Sequence, residues 1–407
     1  MSALIVNGGV ELCGEVSIGG AKNAALPIIF ATLITKGVSH LTNVPKILDV
    51  VVALDIIKEL GAEVAWRADT LIIDTTKLTY RLPSETNVAK IRASSYLIGA
   101  MCARFGKARI MRFGGCNFEN RPIDMHLSAL AALGATILDN EIYAPSLMGS
   151  DIVFSKISVG ATVNAVLLAN GAKGKTRIFG YAREPHVYAL CEYLKLCGAD
   201  ISFSPECITV VGKELHGAST AIIPDMIEAG TYLLISSVTG SKLAVRGVGF
   251  CDLESFLPDI TASGIAFCKR NGAICPQGCI SSPFDIVTGP YPAFPTDMQP
   301  QCAPLMSVFG GSITDTVWQG RFGYLDQLLK FGLKHTRVNN SAYISPSKLH
   351  KAQVLATDLR GGAALLIASL MCDGESVIEN AEIIDRGYEN IVEKLCSVGA
   401  KIKRQEI

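Results

Sequence analysis

The sequence predicts an α/β protein made of six similar units, in which short strands alternate with helices. A helical pattern that ends in a glycine-centred turn occurs six times, and successive turn glycines lie 64 to 73 residues apart. A short strand-like run follows the turn. Glycine suits this place because it adopts the left-handed backbone at a helix end without steric cost. The turn glycines are Gly61, Gly134, Gly198, Gly264, Gly332 and Gly399.

Each unit also contains a second helix that is apolar on all sides, and such helices are typically buried. The six predicted apolar helices span 22–33, 88–103, 159–169, 226–238, 298–309 and 359–371. One unit of this size cannot enclose its own core, so the six units predict two domains of three. A chain of 407 residues also exceeds the usual size of one core. Counting units places the change of domain near Pro224.

Composition excludes several classes of function. The 37 basic side chains balance 37 acidic ones, so no basic excess favours nucleic acid. The longest apolar stretches are shorter than the roughly 20 residues of a membrane-spanning helix. The first residues lack a basic region followed by an apolar core, which predicts a cytoplasmic protein. The 13 cysteines form neither a disulfide framework nor a metal motif, so a zinc site is not expected.

The starts of the apolar helices carry polar or charged residues. In chain order these are Lys22 with Asn23, Arg92, Ser158 to Gly160, Asp225 with Glu228, Thr296 with Asp297, and Asp358 with Arg360. Asp and Thr there are often simple helix caps, and an Arg there is often a surface side chain. Cations are different, because the helix dipole disfavours positive charge at this end unless an anion is bound. With Arg121 and Arg386, which follow turns, these residues predict a site for phosphate and carboxylate groups.

Cys116 stands apart from the other cysteines. It follows Gly114 and Gly115 in a turn-forming segment, and the nearby Lys107 and Arg121 would lower the pKa of its thiol. An inert buried thiol is the alternative. His126 is interpreted as a helix residue with satisfied hydrogen bonds, with a catalytic role as the alternative.

Ordered segments along the whole chain resemble the UDP-N-acetylglucosamine 1-carboxyvinyltransferase family of enolpyruvyl transferases. They are residues 20–27 (GAKNAALP), 114–116 (GGC), 121–124 (RPID), 158–162 (SVGAT), 182–185 (AREP), 292–299 (PAFPTDMQ), 356–360 (ATDLR) and 385–389 (DRGYE). The resemblance implies an inside-out α/β barrel fold with two domains, each of three βαβαββ units. It also places the first strand with the C-terminal half, so that the domains are 22–223 and 1–21 with 224–407. The active site would lie in the cleft between them.

The resemblance also implies the reaction and its residues. The enolpyruvyl group of phosphoenolpyruvate would pass to the 3′-hydroxyl of UDP-N-acetylglucosamine, with release of phosphate, in peptidoglycan synthesis. The implied catalytic residues are Cys116, Asp297, Lys22 and Arg386. Phosphoenolpyruvate would contact Lys22, Asn23, Arg121 and Arg386. The nucleotide sugar would contact Arg92, Arg121, Pro122, Ile123, Asp124, Met125, Lys156, Ile157, Ser158, Val159, Asp297 and Val317, and Arg360 would support the cleft. No metal, organic cofactor or protein partner is implied.

The chain departs from the family pattern in three places. Met226 stands where an arginine is usual, Ile383 replaces a usual histidine, and residues 317–320 read VWQG. These departures keep open a non-catalytic protein that binds a UDP-sugar. A second alternative is the sister enzyme that acts on shikimate 3-phosphate, which lacks the Gly-Gly-Cys segment.

Overall fold

The computed structural model describes residues 2–115, 122–318 and 320–406. These residues form two compact units. One unit comprises the described residues of 20–223, and the other comprises those before 20 and after 223. The chain therefore passes from one unit to the other twice, and each unit has its own hydrophobic core.

Four sheets belong to the unit of residues 20–223. The first has the strand order Ser219–Ala221, Val38–Thr42, Thr70–Asp74 and Glu63–Arg67. The second has the order Asp151–Val153, Lys175–Phe179, Cys207–Val211 and Asp200–Phe203. A three-stranded sheet follows the order Lys107–Arg109, Glu141–Tyr143 and Thr136–Leu138, and a short pair joins Leu215–His216 to Thr35–Lys36.

Three sheets belong to the other unit. The first has the strand order Gln353–Leu355, Gly374–Glu379, Ser2–Gly8 and Lys401–Glu406. The second has the order Ala266–Arg270, Ala273–Gln277, Lys242–Arg246 and Cys13–Ser17. The third has the order Phe284–Thr288, Gly311–Asp315, Ser341–Ser345 and Lys334–Val338.

All five four-stranded sheets have the same pairing. One parallel pair at one edge is extended by two antiparallel pairs. The six turn glycines predicted from the sequence have φ between +89° and +105°, so the prediction of a left-handed turn is confirmed. A side chain at these positions would be strained. Repetition in the sequence is therefore repetition of a supersecondary unit.

Helices accompany the sheets in both units. In the unit of residues 20–223 they are Lys22–Ala31, Leu48–Glu59, Glu85–Val88, Leu97–Phe105, Asp124–Ala132, Val159–Gly171 and Pro185–Leu196, with 3₁₀ helices Thr32–Ile34 and Arg92–Tyr96. In the other unit they are Met226–Val238, Leu257–Thr261, Gln299–Met306, Tyr324–Leu328, Leu359–Met371 and Ile391–Ser397, with 3₁₀ helices Phe250–Leu253, Leu329–Phe331 and Ala381–Arg386. Alternation of strands and helices confirms the predicted α/β class.

The six predicted apolar helices are present, but the second is interrupted. A single helix over 88–103 was expected, whereas the structure has Glu85–Val88, then the 3₁₀ helix Arg92–Tyr96, then Leu97–Phe105. The hydroxyl of Ser94 donates to the carbonyls of Val88 and Ile91, at 2.7 and 2.6 Å. Such bonds offer the backbone an alternative to the helical ladder. The prediction of one continuous helix was wrong for this reason.

Two further observations concern the chain as described. None of its helices combines the length and the apolar character needed to span a bilayer. Every cysteine among the described residues is a free thiol, and six of these cysteines are buried.

Candidate active site

Lys22 is the first residue of the helix Lys22–Ala31, and a buried carboxylate holds its side chain. The distance from Lys22 Nζ to Asp49 Oδ2 is 2.8 Å. The exposed fractions are 13% for Lys22 and 5% for Asp49. Asp49 lies in the first turn of the next helix, Leu48–Glu59. Sequence reasoning missed Asp49, although a carboxylate among the buried positions of an apolar helix is an unusual feature that could have marked it.

Asn23 follows Lys22 in the same helix and is partly buried. Residue Ala21 at the N-terminus of this helix provides no side-chain cap. The first backbone N–H groups of a helix have no partner within the helix and favour an anion. Lys22 and Asn23 therefore stand where a phosphate or carboxylate group could accept from both backbone and side chains.

The predicted nucleotide-sugar residues of this unit gather around His126. The ring of His126 accepts a hydrogen bond at Nδ1 from Asn164 Nδ2, at 2.7 Å, since Asn164 Oδ1 is occupied by the N–H of Gly99. Burial, with a smaller effect of the nearby Arg92, lowers the pKa of His126 to about 4. His126 is thus a buried, neutral helix residue with a satisfied hydrogen bond, as the sequence interpretation had it.

Two helix starts meet at this point. His126 belongs to the helix Asp124–Ala132, and its ring lies against Gly160, where an added Cβ would be 3.2 Å from the ring. Three groups of predicted residues are thereby brought together. They are Arg92, the segment Pro122, Ile123, Asp124 and Met125, and the segment Lys156, Ile157, Ser158 and Val159.

The surface of this cluster is mixed. Pro122, Asp124, Lys156 and Ile157 are exposed, and Ile157 has 47% of its surface accessible. Burial lowers the pKa of the Arg92 guanidinium, with Tyr96 acting in the opposite sense. A partly buried cation beside exposed apolar and polar side chains can receive a ligand that carries both a ring and an anionic group.

Cys116 and Arg121, two of the residues singled out in the sequence, lie outside the described residues. Their predicted roles stay predictions.

Asp297 lies just before the helix Gln299–Met306, between two arginines. Its Oδ1 accepts from Arg321 Nη1 at 2.8 Å, and its Oδ2 accepts from Arg360 Nη2 and Nε at 3.1 and 3.2 Å. Arg321 and Arg360 are almost fully buried, whereas Asp297 keeps 28% of its side chain exposed. Burial by itself lowers the pKa of both guanidinium groups, but Asp297 and, for Arg360, Tyr388 raise it above its ordinary value.

Arg321 was not among the predicted residues. It precedes the apolar run from Phe322 to Leu325, and nothing in its local sequence separates it from a surface arginine. Its guanidinium contacts a residue 24 positions earlier in the chain. Only the folded unit reveals such a contact.

Val317 and Arg386 belong to the same unit as Asp297. The N–H of Val317 donates to the buried Asp315 at 2.9 Å, in the turn after the strand Gly311–Asp315. Arg386 ends the 3₁₀ helix Ala381–Arg386, and the next residue, Gly387, packs against Leu359. The ring of Tyr388 lies 5.3 Å from the guanidinium carbon of Arg360. The segment that carries Arg386 is therefore beside the start of the helix that carries Arg360.

The polar residues at the other helix starts are caps. Asp225, Asp358 and Ser158 each accept hydrogen bonds from the first backbone N–H groups of their helices. The simpler interpretation was right for these three residues. Met226 and Ile383, which stand at the positions of the expected arginine and histidine, pack against the hydrophobic core.

Comparison with known proteins identifies the family. Residues 6–395 match the family model described as EPSP synthase (3-phosphoshikimate 1-carboxyvinyltransferase). A UDP-N-acetylglucosamine 1-carboxyvinyltransferase of Halothermothrix orenii is 39% identical, covering 99% of this chain and 100% of the relative. Another from Listeria monocytogenes is 40% identical, covering 98% and 97%. The chain belongs to the UDP-N-acetylglucosamine 1-carboxyvinyltransferase family.

Membership in this family of enzymes confirms the resemblance inferred from the sequence motifs. The fold agrees with it. The crystal structure of the enolpyruvyl transferase NikO from Streptomyces tendae superposes with a TM-score of 0.89, covering 99% of both chains at 24% identity. At that identity the superposition establishes the α/β fold alone.

Proposed function

We propose that this enolpyruvyl transferase transfers the enolpyruvyl group of phosphoenolpyruvate to the 3′-hydroxyl of UDP-N-acetylglucosamine and releases phosphate. The family relationship over nearly the whole chain supports this reaction. The observation that carries the proposal is Asp297, a partly exposed carboxylate held by two buried arginines. The product would enter peptidoglycan synthesis, and the enzyme would act in the cytoplasm without a cofactor.

Asp297 is proposed as the base that accepts the proton of the 3′-hydroxyl. Two hydrogen-bonded guanidinium groups fix both carboxylate oxygens in direction, and the exposed part of the side chain can reach a hydroxyl group. Among the described residues, Arg360 Nη1 is buried and has no hydrogen-bond partner.

Cys116 is proposed as the acid that protonates C3 of phosphoenolpyruvate, which leaves an oxocarbenium-like centre at C2. Attack by the sugar oxygen gives a tetrahedral ketal, while Asp297 takes the hydroxyl proton. Return of a proton from C3 to the Cys116 thiolate and departure of phosphate from C2 then give the enolpyruvyl ether. Lys22, Asn23, Arg121 and Arg386 would bind the phosphate and carboxylate groups through these steps.

Binding of the nucleotide sugar is proposed for the cluster around His126 and for Val317. Arg92 and Arg121 would contact anionic oxygens, and Pro122 to Met125 with Lys156 to Val159 would contact the remainder. The two sets of residues belong to different units of one chain. We further propose that each unit is an inside-out barrel of three βαβαββ elements, which the repeated sheet pairing supports. The cleft predicted from the sequence stays a prediction.

The decisive experiment measures phosphate release from phosphoenolpyruvate, with UDP-N-acetylglucosamine or shikimate 3-phosphate supplied separately. We expect phosphate release when UDP-N-acetylglucosamine is the acceptor and none when shikimate 3-phosphate is. The opposite result would assign the sister activity. Binding of the nucleotide sugar without release, measured by calorimetry, would assign the non-catalytic alternative.

Cys116→Ser tests the proposed acid in the same assay. We expect steady-state phosphate release to fall by about 100-fold or more, since one general acid contributes roughly 10²- to 10⁴-fold. Cys251→Ser is the matched control, because Cys251 is exposed and lies in the 3₁₀ helix Phe250–Leu253, among none of the proposed site residues. Equal rates for both variants would remove Cys116 from the mechanism.

A further inference from the structure

Asp315 ends the strand Gly311–Asp315 and is completely buried. Its Oδ1 accepts from the hydroxyl of Thr288 at 2.7 Å and from the backbone N–H groups of Val317 and Trp318 at 2.9 Å each. Its Oδ2 accepts from the hydroxyl of Thr296 at 2.7 Å and, at 3.5 Å, from Gln299 Nε2. Five donors converge on one carboxylate, which has room for about four well-directed hydrogen bonds.

Hydrogen bonds connect Asp315 Oδ2 to Asp297, the proposed base. Thr296 precedes Asp297 in the chain, and its hydroxyl oxygen accepts from Arg321 Nη1 at 3.1 Å while donating to Asp315. The same Nη1 of Arg321 donates to Asp297 Oδ1 at 2.8 Å. Asp315 therefore orients the hydroxyl that holds one of the two arginines of Asp297.

Gln299 supports the same arrangement. Its Nε2 donates to the backbone carbonyl of Arg321 at 2.9 Å, and its Oε1 accepts from Tyr324 at 2.6 Å. Gln299 is fully buried and begins the helix that follows Asp297. Gln299 thereby links the backbone of Arg321 and the start of that helix to the carboxylate of Asp315.

The Oδ1 side of Asp315 leads to the proposed nucleotide-sugar contact. Two successive N–H groups, of Val317 and Trp318, point at one oxygen, which closes the turn after the strand. Thr288 braces this turn, because its hydroxyl donates to Asp315 and accepts from the N–H of Thr316 at 3.2 Å. The two oxygens of Asp315 thus hold two different segments of the proposed site.

We propose that Asp315 is a positioning residue that sets the direction of Asp297 through Thr296 and Arg321, and that separately fixes the turn carrying Val317. The inference rests on the proposed function, because it assigns Asp297 and Val317 their roles. An amide cannot reproduce the carboxylate here, since each of its two oxygens faces at least one N–H group, which can only donate.

Asp315→Asn tests the proposal because it alters the two sides unequally. The backbone N–H groups of Val317 and Trp318 can only donate, so the Asn oxygen is expected to face them. The Asn amide group then faces Thr296 and Gln299 with a donor in place of an acceptor. We expect kcat to fall about 10- to 100-fold through misalignment of Asp297, with KM for UDP-N-acetylglucosamine changed less than about twofold.

Two variants separate positioning from a general loss of structure. Thr296→Val removes the link to Arg321, so its effect on kcat should not add to that of Asp315→Asn in a double-mutant cycle. Thr288→Val loosens the other side and should raise KM for the nucleotide sugar more than it lowers kcat. Asp285→Asn is the control, because Asp285 accepts from Ser312 on the exposed face of the same sheet. Its kinetics should match those of the unaltered protein.

A crystal structure of Asp315→Asn makes the test independent of turnover. We expect the contact of Arg321 Nη1 with Asp297 Oδ1 to open beyond 3.5 Å. The proposal would be overturned by an unchanged contact between Arg321 and Asp297 or by additive effects in the double-mutant cycle. It would also be overturned if KM for the nucleotide sugar rose by the same factor as kcat fell. If Asp315→Asn does not fold, Thr296→Val gives the same structural readout. An unaltered protein that releases no phosphate would instead refute the proposed function, while the crystal structure still decides the role of Asp315.

Discussion

The two units hold their charged site residues in opposite ways. In the unit of residues 20–223, a buried carboxylate, Asp49, holds one cation, Lys22. In the other unit, two buried cations, Arg321 and Arg360, hold one carboxylate, Asp297. In both cases the more exposed partner is the one proposed to meet substrate. The exposed fraction is 13% for Lys22 against 5% for its partner, and 28% for Asp297 against 7% and 2%.

This difference shows how a charged side chain can be fixed in direction while it stays accessible to substrate. A group that must contact substrate needs an open face, so its orientation has to come from partners behind it. Those partners are buried, and breaking a buried pair leaves an uncompensated charge. Two arginines around one carboxylate also leave a net positive charge, which suits anionic substrates. A single lysine paired with one aspartate leaves none.

The largest expected effect comes from breaking the two-arginine arrangement. Arg360→Met should lower the free energy of unfolding by about 3 kcal/mol, because Asp297 loses one of the two buried arginines that hold it. Urea denaturation measures the loss. Arg404→Met is the control, since Arg404 and its partner Asp385 are each about one-third exposed, at 32% and 30%. That change should cost less than about 1 kcal/mol. Equal losses would mean that burial of Arg360 does not distinguish the two pairs.

A smaller loss is expected on the other side of the comparison. Asp49→Asn keeps a hydrogen-bonding group beside Lys22 but removes the opposite charge, and should lower the free energy of unfolding by roughly 1 to 2 kcal/mol. KM for phosphoenolpyruvate should rise, because Lys22 loses its fixed direction. Asp55→Asn, in the same helix and paired with the exposed Lys58 at 3.4 Å, should change stability by less than about 0.5 kcal/mol. An unchanged KM in Asp49→Asn would contradict the positioning of Lys22 by Asp49.

A third expected effect concerns pH and the His126 cluster. Burial lowers the pKa of His126 from 6.5 to about 4, so between these values the unfolded chain binds a proton that the folded chain does not. The contribution of His126 to the free energy of unfolding is therefore fully present above pH 6.5. As pH falls towards 4, this contribution is lost, and the free energy of unfolding falls by at most about 3 kcal/mol. Relative to the unaltered protein, His126→Gln should lose less stability across that window, as measured by urea denaturation at pH 7 and pH 4.5.

His40→Gln, at an exposed histidine of the same unit, controls for the loss of a histidine as such. The control variant should follow the unaltered protein across the same pH window. A His126→Gln variant with an unchanged pH slope would show that His126 does not contribute to the pH dependence of stability.

Much of the fold could be predicted because its signals are local. Six turn glycines and six apolar helix patterns indicate the units, since glycine permits a left-handed turn at whatever point of the chain it occurs. The interrupted second helix was not predicted, because the hydroxyl of Ser94 competes with the helical ladder. The strand Cys13–Ser17 pairs with Lys242–Arg246, although the helix that follows it in the chain belongs to the other unit. No local pattern indicates that partner.

The sequence by itself determined the α/β class, the six units, the family and the residues expected at the site, among them Lys22, Asp297 and Arg360. Helical periodicity, glycine turns and ordered motifs are all properties of short segments. Only the tertiary structure decided which groups hold those residues. Asp49, Arg321 and Asp315 act through contacts between separate segments, such as the 63 positions between Asp297 and Arg360. The energy of a contact depends on distance and burial, which a chain acquires only when it folds.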